Sequence, residues 1–350
     1  MSLLATRSLS KDLELTIMGL GGTGLGNMYT AVDTEAAVAT VQEAFASGIR
    51  YFDTAPVYGL GLAETRLGEA LRTLPRDEIV ISSKVGYDLV SVPRDEVPPS
   101  MWADAPPVRA DFRFTREAVL RSIEGTMKRL GVDRVDMLAI HDPDQASSIV
   151  GIEIPHAQSR FKEAMDGAYP VLDDLRSQGV IKAVGVGINQ WQMLVDFVTA
   201  GRFDYFLLAN RYTLLDQAPL STLFPLCEER GTKIIVGGPF NSGILATGPV
   251  EGARFDYQPA APAVLDRVRC IGAVCARHDV PLPAAALQFP LGHPLVVSVI
   301  PGARSATEAQ RNLDLLQHPI PTQLWENLKA EGLLAVNAPI GQPGSGGRIN

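Results

Sequence analysis

The sequence predicts a (β/α)8 TIM barrel built as one domain, and three observations predict it. Eight short apolar runs recur along the 350 residues with longer amphipathic stretches between them, the pattern of repeated strand and helix units around a parallel sheet. A closed barrel uses eight such units alike, whereas an open sheet needs a second domain to do so. At 46% hydrophobic residues the chain has the apolar content to bury a core of that size. The barrel is expected over 1–340, with "GQPGSGGRIN" at 341–350 as a flexible tail.

The eight runs are "LTIMGLG" at 15–21, "IRYFD" at 49–53, "IVISSKV" at 79–85, "VDMLAIH" at 135–141, "IKAVGVG" at 181–187, "YFLLA" at 205–209, "KIIVGG" at 233–238 and "VVSVIPG" at 296–302. Helical patterns lie between them. "TEAAVATVQEAFASG" starts with Thr34 as its expected cap and stops at Gly48. "TREAVLRSIEGTMKRLG" starts at Thr115 and stops at Gly131, with Val119, Ile123, Met127 and Leu130 on one stripe. The segment 90–114, "VSVPRDEVPPSMWADAPPVRADFRF", breaks the rhythm and reads as a long loop rich in Pro and charge. It follows a strand, so it belongs to the catalytic face, where Trp102 is either a cover for substrate or an exposed anchor.

A formal net charge of -8 without a Lys and Arg cluster argues against nucleic acid and anionic membranes as partners. The first residues carry Arg7, Lys11, Asp12 and Glu14 in place of an apolar leader, so a cytoplasmic location is expected. The most apolar stretch, "AAALQFPLGHPLVVSVI", is broken by Gln288, Pro290, His293 and Pro294 and reads as a buried strand with its approach. Cys227, Cys270 and Cys275 have no zinc-ligand or disulfide spacing and are expected as small buried side chains in helices.

"TIMGLGGTGLGNMY" spells GxGxxG through Gly19, Gly21 and Gly24. A Rossmann fingerprint requires a helix to open at those glycines and an acidic residue about 20 positions on. Here "NMYTAVD" intervenes before any helical pattern, and the acidic strand end is the later Asp53. The spacing argues against a Rossmann domain.

Polar residues close several of the apolar runs: Asp53 and Tyr58 in "YFDTAPVYG", Lys84 in "ISSKVG" and His141 in "LAIHDPD". Charges at buried strand ends are costly unless paired, and barrel strand ends converge on one mouth. Gathered there, the four suit proton transfer to or from an alcohol or carbonyl oxygen, with a nearby ammonium expected to lower the Tyr58 phenol toward working pH.

With these residues in view, the sequence resembles the aldo-keto reductase family, NAD(P)(H)-dependent oxidoreductases on a (β/α)8 barrel. "GIRYFDTAPVYGLGLAETRLGEAL" looks like the family signature around the catalytic aspartate and tyrosine, "SSKVG" its lysine strand, "DMLAIHDPD" its histidine strand and "VIPGARSATEAQRNL" its cofactor-clamping segment. The resemblance implies Tyr58 as general acid/base, Asp53 and Lys84 as its tuning pair, and His141 as the residue that orients the reacting oxygen. It implies cofactor contacts from Gly22, Thr23, Asp53, Asn189, Phe240, Ser242, Gly243, Gly302, Arg304 and Asn312.

The chain departs from the family pattern in places. Gly187 stands where a serine often holds the carboxamide, leaving Asn189; Ala209, beside Asn210, stands at the usual glutamine; and Gly237 replaces an aromatic. Gly302 stands where many members carry a lysine for the adenosine 2′-phosphate, and Glu308 adds a carboxylate nearby. NAD is therefore expected in preference to NADP, with Arg304 as the residue that would favour NADP.

"GVGINQW", "LLANRYTLLDQ" and "GGPFNSG" look most like the family's bacterial branch of L-fucose or D-threo-aldose 1-dehydrogenases and pyridoxal 4-dehydrogenase. That implies oxidation of an anomeric hydroxyl or hemiacetal to a lactone. A general NADPH-dependent aldehyde or ketone reductase and a non-catalytic cofactor-binding barrel acting as a regulatory subunit are the alternatives, and the intact Asp53, Tyr58, Lys84 and His141 oppose the last.

Overall fold

A computed structural model describes residues 4–145 and 159–341. The tail expected at 341–350 lies, apart from Gly341, outside the described residues. Two strands open the chain, β1 (Thr6–Ser10) and β2 (Leu13–Thr16), paired as an antiparallel hairpin. There follow β3 (Leu20–Gly21), β4 (Tyr51–Asp53), β5 (Val80–Val85), β6 (Tyr87–Ser91), β7 (Val108–Phe112), β8 (Met137–His141), β9 (Ala183–Ile188), β10 (Tyr205–Ala209), β11 (Lys233–Gly237), β12 (Arg254–Phe255), β13 (Gln258–Pro259) and β14 (Val296–Ile300).

Eight of these make one parallel sheet in the order β3-β4-β5-β8-β9-β10-β11-β14. Parallel bridges from Met18 to Val299 and from Gly21 to Gly302 bring β14 back to the first strand. The chain folds as a (β/α)8 barrel. The first expected strand, 15–21, is divided: Leu15 and Thr16 pair within the opening hairpin, and only Leu20 and Gly21 enter the barrel ladder.

Side chains alternate faces along each strand, and the alternation sorts the core into two layers. Tyr51, Met137, Ala139, Tyr205 and Leu207 point inward and pack with Leu9, Leu13 and Leu15 of the hairpin, which floors the barrel. Phe52, Ile81, Leu138, Ile140, Phe206 and Leu208 point outward to the helices. The same period of two puts Asp53, Ser82, Lys84 and His141 on the inner face, with Asp53 and His141 closing their strands. That is why four polar side chains from three strands meet at one end.

The helix Arg116–Leu130 follows its prediction, with Thr115 Oγ1 accepting from the Ala118 N–H and Gly131 at φ 64° beyond its end. The helix Thr34–Ala46 is capped by Asp33 rather than Thr34: the Asp33 carboxylate accepts from the Ala36 N–H at 2.7 Å. A carboxylate at this place also meets the positive end of the helix dipole.

The segment 90–114 is not a plain loop. β6 and β7 pair along five residues, with Tyr87 stacked on Phe112 at 4.6 Å. Trp102 is buried, neither exposed nor free, because the Tyr29 N–H donates to Met101 O and the Ala103 N–H to Asn27 O, both at 2.9 Å. Cys227 and Cys275 are buried as expected, and burial pushes their thiols up to about 12 and about 11. Cys270 is exposed, since it lies on the outward side of the helix Pro262–Arg277.

Candidate active site

Lys84 Nζ donates to Asp53 Oδ2 at 2.7 Å and to Thr54 O at 2.8 Å, with both side chains almost wholly buried. The ammonium lies 4.7 Å from the centre of the Tyr58 ring. His141 presents its ring edgewise to Tyr58 at 5.7 Å, and Trp102 packs on the same ring at 5.8 Å. The four residues that the sequence singles out are therefore one cluster at the barrel mouth.

Tyr58 comes from the loop after β4, not from a strand, and that loop is fixed by its backbone. The Tyr58 N–H donates to Ala55 O and the Ala63 N–H to Tyr58 O. Gly59 takes φ 62° and presses on the Gly26 backbone so closely that a Cβ there would stand 2.5 Å from Gly26 O. A side chain at either position would push the Tyr58 loop away from the first loop. Arg66, also in the signature stretch, ties that first loop down by donating to Leu25 O and Asn27 Oδ1, each at 2.7 Å.

Electrostatics at the cluster run against one expectation. Burial pushes the Tyr58 phenol well above its ordinary value, and the Asp53 and Asp142 carboxylates push the same way. Lys84, paired with Asp53 at 2.7 Å, does not reverse that shift. Burial, aided by Lys84, holds His141 well below its ordinary value, so the imidazole is neutral at neutral pH. Its Nε2 lies 3.5 Å from Asp142 Oδ2 and its Nδ1 has no hydrogen-bond partner among the described residues, while Tyr87 donates to the same Asp142 oxygen at 3.3 Å.

A cleft of ≈ 520 Å³ opens on this cluster, and Asp53, Tyr58, Arg304 and Glu308 are among its lining residues. Gly22, Thr23, Phe240, Ser242, Gly243 and Gly302 line it as well. Gly24 leaves the wall thin, since a Cβ there would stand 2.5 Å from Ala303 O. The turn after β11 runs through positive φ at Gly238, Asn241, Ser242 and Gly243, and it is closed by the Asn241 N–H donating to Gly238 O and the Gly243 N–H donating to Phe240 O. A cleft of this volume, lined by glycines and by polar side chains, fits a dinucleotide.

Two expected contacts stand outside the lining. Asn312 donates to Gly302 O at 3.3 Å, and Asn189 donates to Ala209 O at 3.2 Å and to the Tyr257 hydroxyl at 3.4 Å. Arg304 is engaged by Glu308, which accepts from its guanidinium at 3.0 Å and from its backbone N–H at 2.9 Å. Tyr257, from the turn between β12 and β13, lines the cleft beside Asn189 and went unseen in the sequence. No spacing betrays it, because it comes from an irregular loop.

The family model for the aldo/keto reductase family matches residues 17–331. The chain belongs to the aldo/keto reductase family. It is 36% identical over 340 residues to D-threo-aldose 1-dehydrogenase of Pseudomonas sp, covering 95% of this chain and 99% of that one. It is equally 36% identical over 332 residues to pyridoxal 4-dehydrogenase of Microbacterium luteolum, covering 92% and 96%. Among solved structures, an aldo-keto reductase from Bacillus halodurans in its holo form matches with a TM-score of 0.71 at 20% identity, covering 97% of this chain and 99% of that one, a likeness of fold. This aldo-keto reductase is an NAD(P)-dependent oxidoreductase. Among the described residues no helix is long and apolar enough to cross a membrane.

Proposed function

We propose that this aldo-keto reductase oxidises the anomeric hydroxyl of an aldose, or the cyclic hemiacetal of pyridoxal, to a lactone, with NAD preferred over NADP. The observation that carries the reading is the buried Lys84–Asp53 pair, at 2.7 Å, set beneath the Tyr58 ring at the end of a dinucleotide-sized cleft. The names of the two relatives at 36% identity support the substrate class.

The side chains supply proton handling and orientation. Tyr58 as phenolate takes the hydroxyl proton while the bond from hydrogen to the anomeric carbon breaks and the carbonyl forms. Neutral His141 donates a hydrogen bond to the same oxygen, and Lys84, held by Asp53, stabilises the phenolate. A nicotinamide bound in the cleft supplies what no side chain has, the gain or loss of a hydride. Gly22, Thr23 and Asp53 would hold its nicotinamide end, Phe240, Ser242 and Gly243 the pyrophosphate, and Gly302 and Arg304 the adenosine, with Asn189 and Asn312 supporting this wall through Ala209 O and Gly302 O.

The test is nicotinamide reduction by the pure protein given NAD or NADP with L-fucose, D-arabinose, L-galactose and pyridoxal. Turnover with at least one of these supports the reading; silence with all of them overturns it. One observation favours a second reading, aldehyde reduction: the raised Tyr58 phenol stays protonated at neutral pH and is then a proton donor.

That shift also sets the pH dependence. Below the raised phenol value each pH unit increases the phenolate about tenfold, so log kcat/KM for oxidation is expected to climb with a slope near 1 from pH 7 into the alkaline range. Reduction is expected to stay level over the same range. His141, held low, puts no inflection near 6.5. A level oxidation profile between pH 7 and 9 would remove Tyr58 as the base.

Cofactor choice rests on Glu308, whose carboxylate neutralises Arg304 and repels a 2′-phosphate. Glu308→Gln is expected to raise the NADP to NAD ratio of kcat/KM roughly five- to tenfold, the size of a solvent-screened charge contact. Steady-state kinetics with both cofactors decide it, and an unchanged ratio would exclude Glu308 as the selector.

A further inference from the structure

We propose that Ser82, backed by Tyr51, is a positioning residue for the proton-transfer site, resting on the reading of Asp53, Lys84 and Tyr58 given above. Asp53 has two carboxylate oxygens and both are spoken for. Oδ2 accepts from Lys84 at 2.7 Å, and Oδ1 accepts from the Ser82 hydroxyl at 2.6 Å. The Tyr51 hydroxyl stands 3.0 Å from Ser82 Oγ.

The donor directions follow from proton counting. Ser82 has one hydroxyl proton, and it goes to the carboxylate, which has none to give. The Tyr51 hydroxyl therefore donates to Ser82 Oγ. The order is Tyr51 to Ser82 to Asp53, with Lys84 donating from the other side. All four are buried, at 0%, 1%, 3% and 1% exposure, so no water competes for the carboxylate, and hydrogen bonds to a charge are strong in such surroundings.

The strand alternation makes this arrangement possible. Ser82 and Lys84 are two residues apart on β5 and face the interior together, while Ser83 between them turns outward to Glu64. Asp53 pairs with Ser82 across the ladder from β4 to β5, and Tyr51 lies two residues below Asp53 on the same inner face. One serine thus fixes the rotation of the Asp53 carboxylate, and through it the place of the ammonium under the Tyr58 ring. Without that donor the carboxylate is free to turn, and the Lys84 Nζ follows it. Tyr205, also wholly buried on the inner face, has a hydroxyl with no hydrogen-bond partner among the described residues, and it is the natural control.

The experiment compares Ser82→Ala, Ser82→Thr, Tyr51→Phe and Tyr205→Phe with the wild type. The substrate is whichever of L-fucose, D-arabinose, L-galactose or pyridoxal the wild type oxidises fastest. Ser82→Ala is expected to lower kcat about tenfold, the worth of one hydrogen bond to a buried charge. The NAD dissociation constant, read by quenching of protein fluorescence, is expected to stay within twofold. Thr at 82 keeps the donor and is expected to restore kcat to within twofold, Tyr51→Phe to lose a few-fold, and Tyr205→Phe to lose nothing.

Two results would overturn the assignment. One is Ser82→Ala with wild-type kcat. The other is a loss of kcat and NAD binding together that Thr does not rescue, which marks a packing defect instead. Failure of the underlying reading looks different: Tyr58→Phe would then turn over normally, whatever the Ser82 variants do.

Discussion

Tyr58→Phe is expected to lower kcat about 10³-fold in either direction of the reaction, within the range that general acid–base catalysis contributes. The ring stays, so its contacts with Trp102 at 5.8 Å and His141 at 5.7 Å survive. What is lost is the single O–H that, on the proposed reading, exchanges a proton with the substrate oxygen. NAD binding and thermal stability are therefore expected to remain near wild type, and fluorescence titration together with a melting curve would establish that the loss is chemical. A variant that keeps more than a tenth of wild-type turnover would show that another group carries the proton.

Lys84→Met is expected to damage both stability and activity. Its ammonium is 1% exposed and faces a carboxylate that is 3% exposed. Removing one partner strands the Asp53 charge inside the barrel, and breaking a buried pair in this way costs ~3–5 kcal/mol. The denaturation midpoint should fall accordingly, with turnover reduced as far as in the Tyr58 variant. Adding Asp53→Asn removes the stranded charge, so the double variant is expected to regain much of the stability and none of the activity. Additive stability losses in the two variants would show that the residues are not coupled.

The barrel was legible because its strands are written as apolar runs with a period that survives folding, and because Asp53, Lys84 and His141 are polar residues placed where such runs stop. Tyr58 was legible only through the signature stretch around it, since a loop tyrosine has no periodicity of its own. The floor hairpin was missed although Leu9, Leu13 and Leu15 are spaced for one face, because its polar residues resemble an ordinary lead-in. Tyr257 and the pairing of β6 with β7 come from Pro-rich and Gly-rich segments whose shape is set by tertiary contacts. The direction of the Tyr58 shift was misjudged for a different reason. Sequence names the charged neighbour but does not show that burial of Tyr58, with Asp53 and Asp142 beside it, outweighs that neighbour. The same holds for Ser82: its type is unremarkable, and only the inward alternation of β5 brings it to Asp53.

The first strand, β1, meets the approach to the last, β14, at the barrel floor. Arg7 donates to Leu291 O at 2.8 Å and to Val296 O at 2.6 Å, and Gly19 and Val299 are bonded across the closing seam. During synthesis the opening hairpin and first strand leave the ribosome some 280 residues before these partners, and contacts so distant in sequence are the slowest to form. The nascent barrel is thus an open, curved sheet with an unpaired edge until its final strand arrives. Ring closure belongs to the last stage of biogenesis, when the risk of edge-to-edge association between unfinished chains also ends.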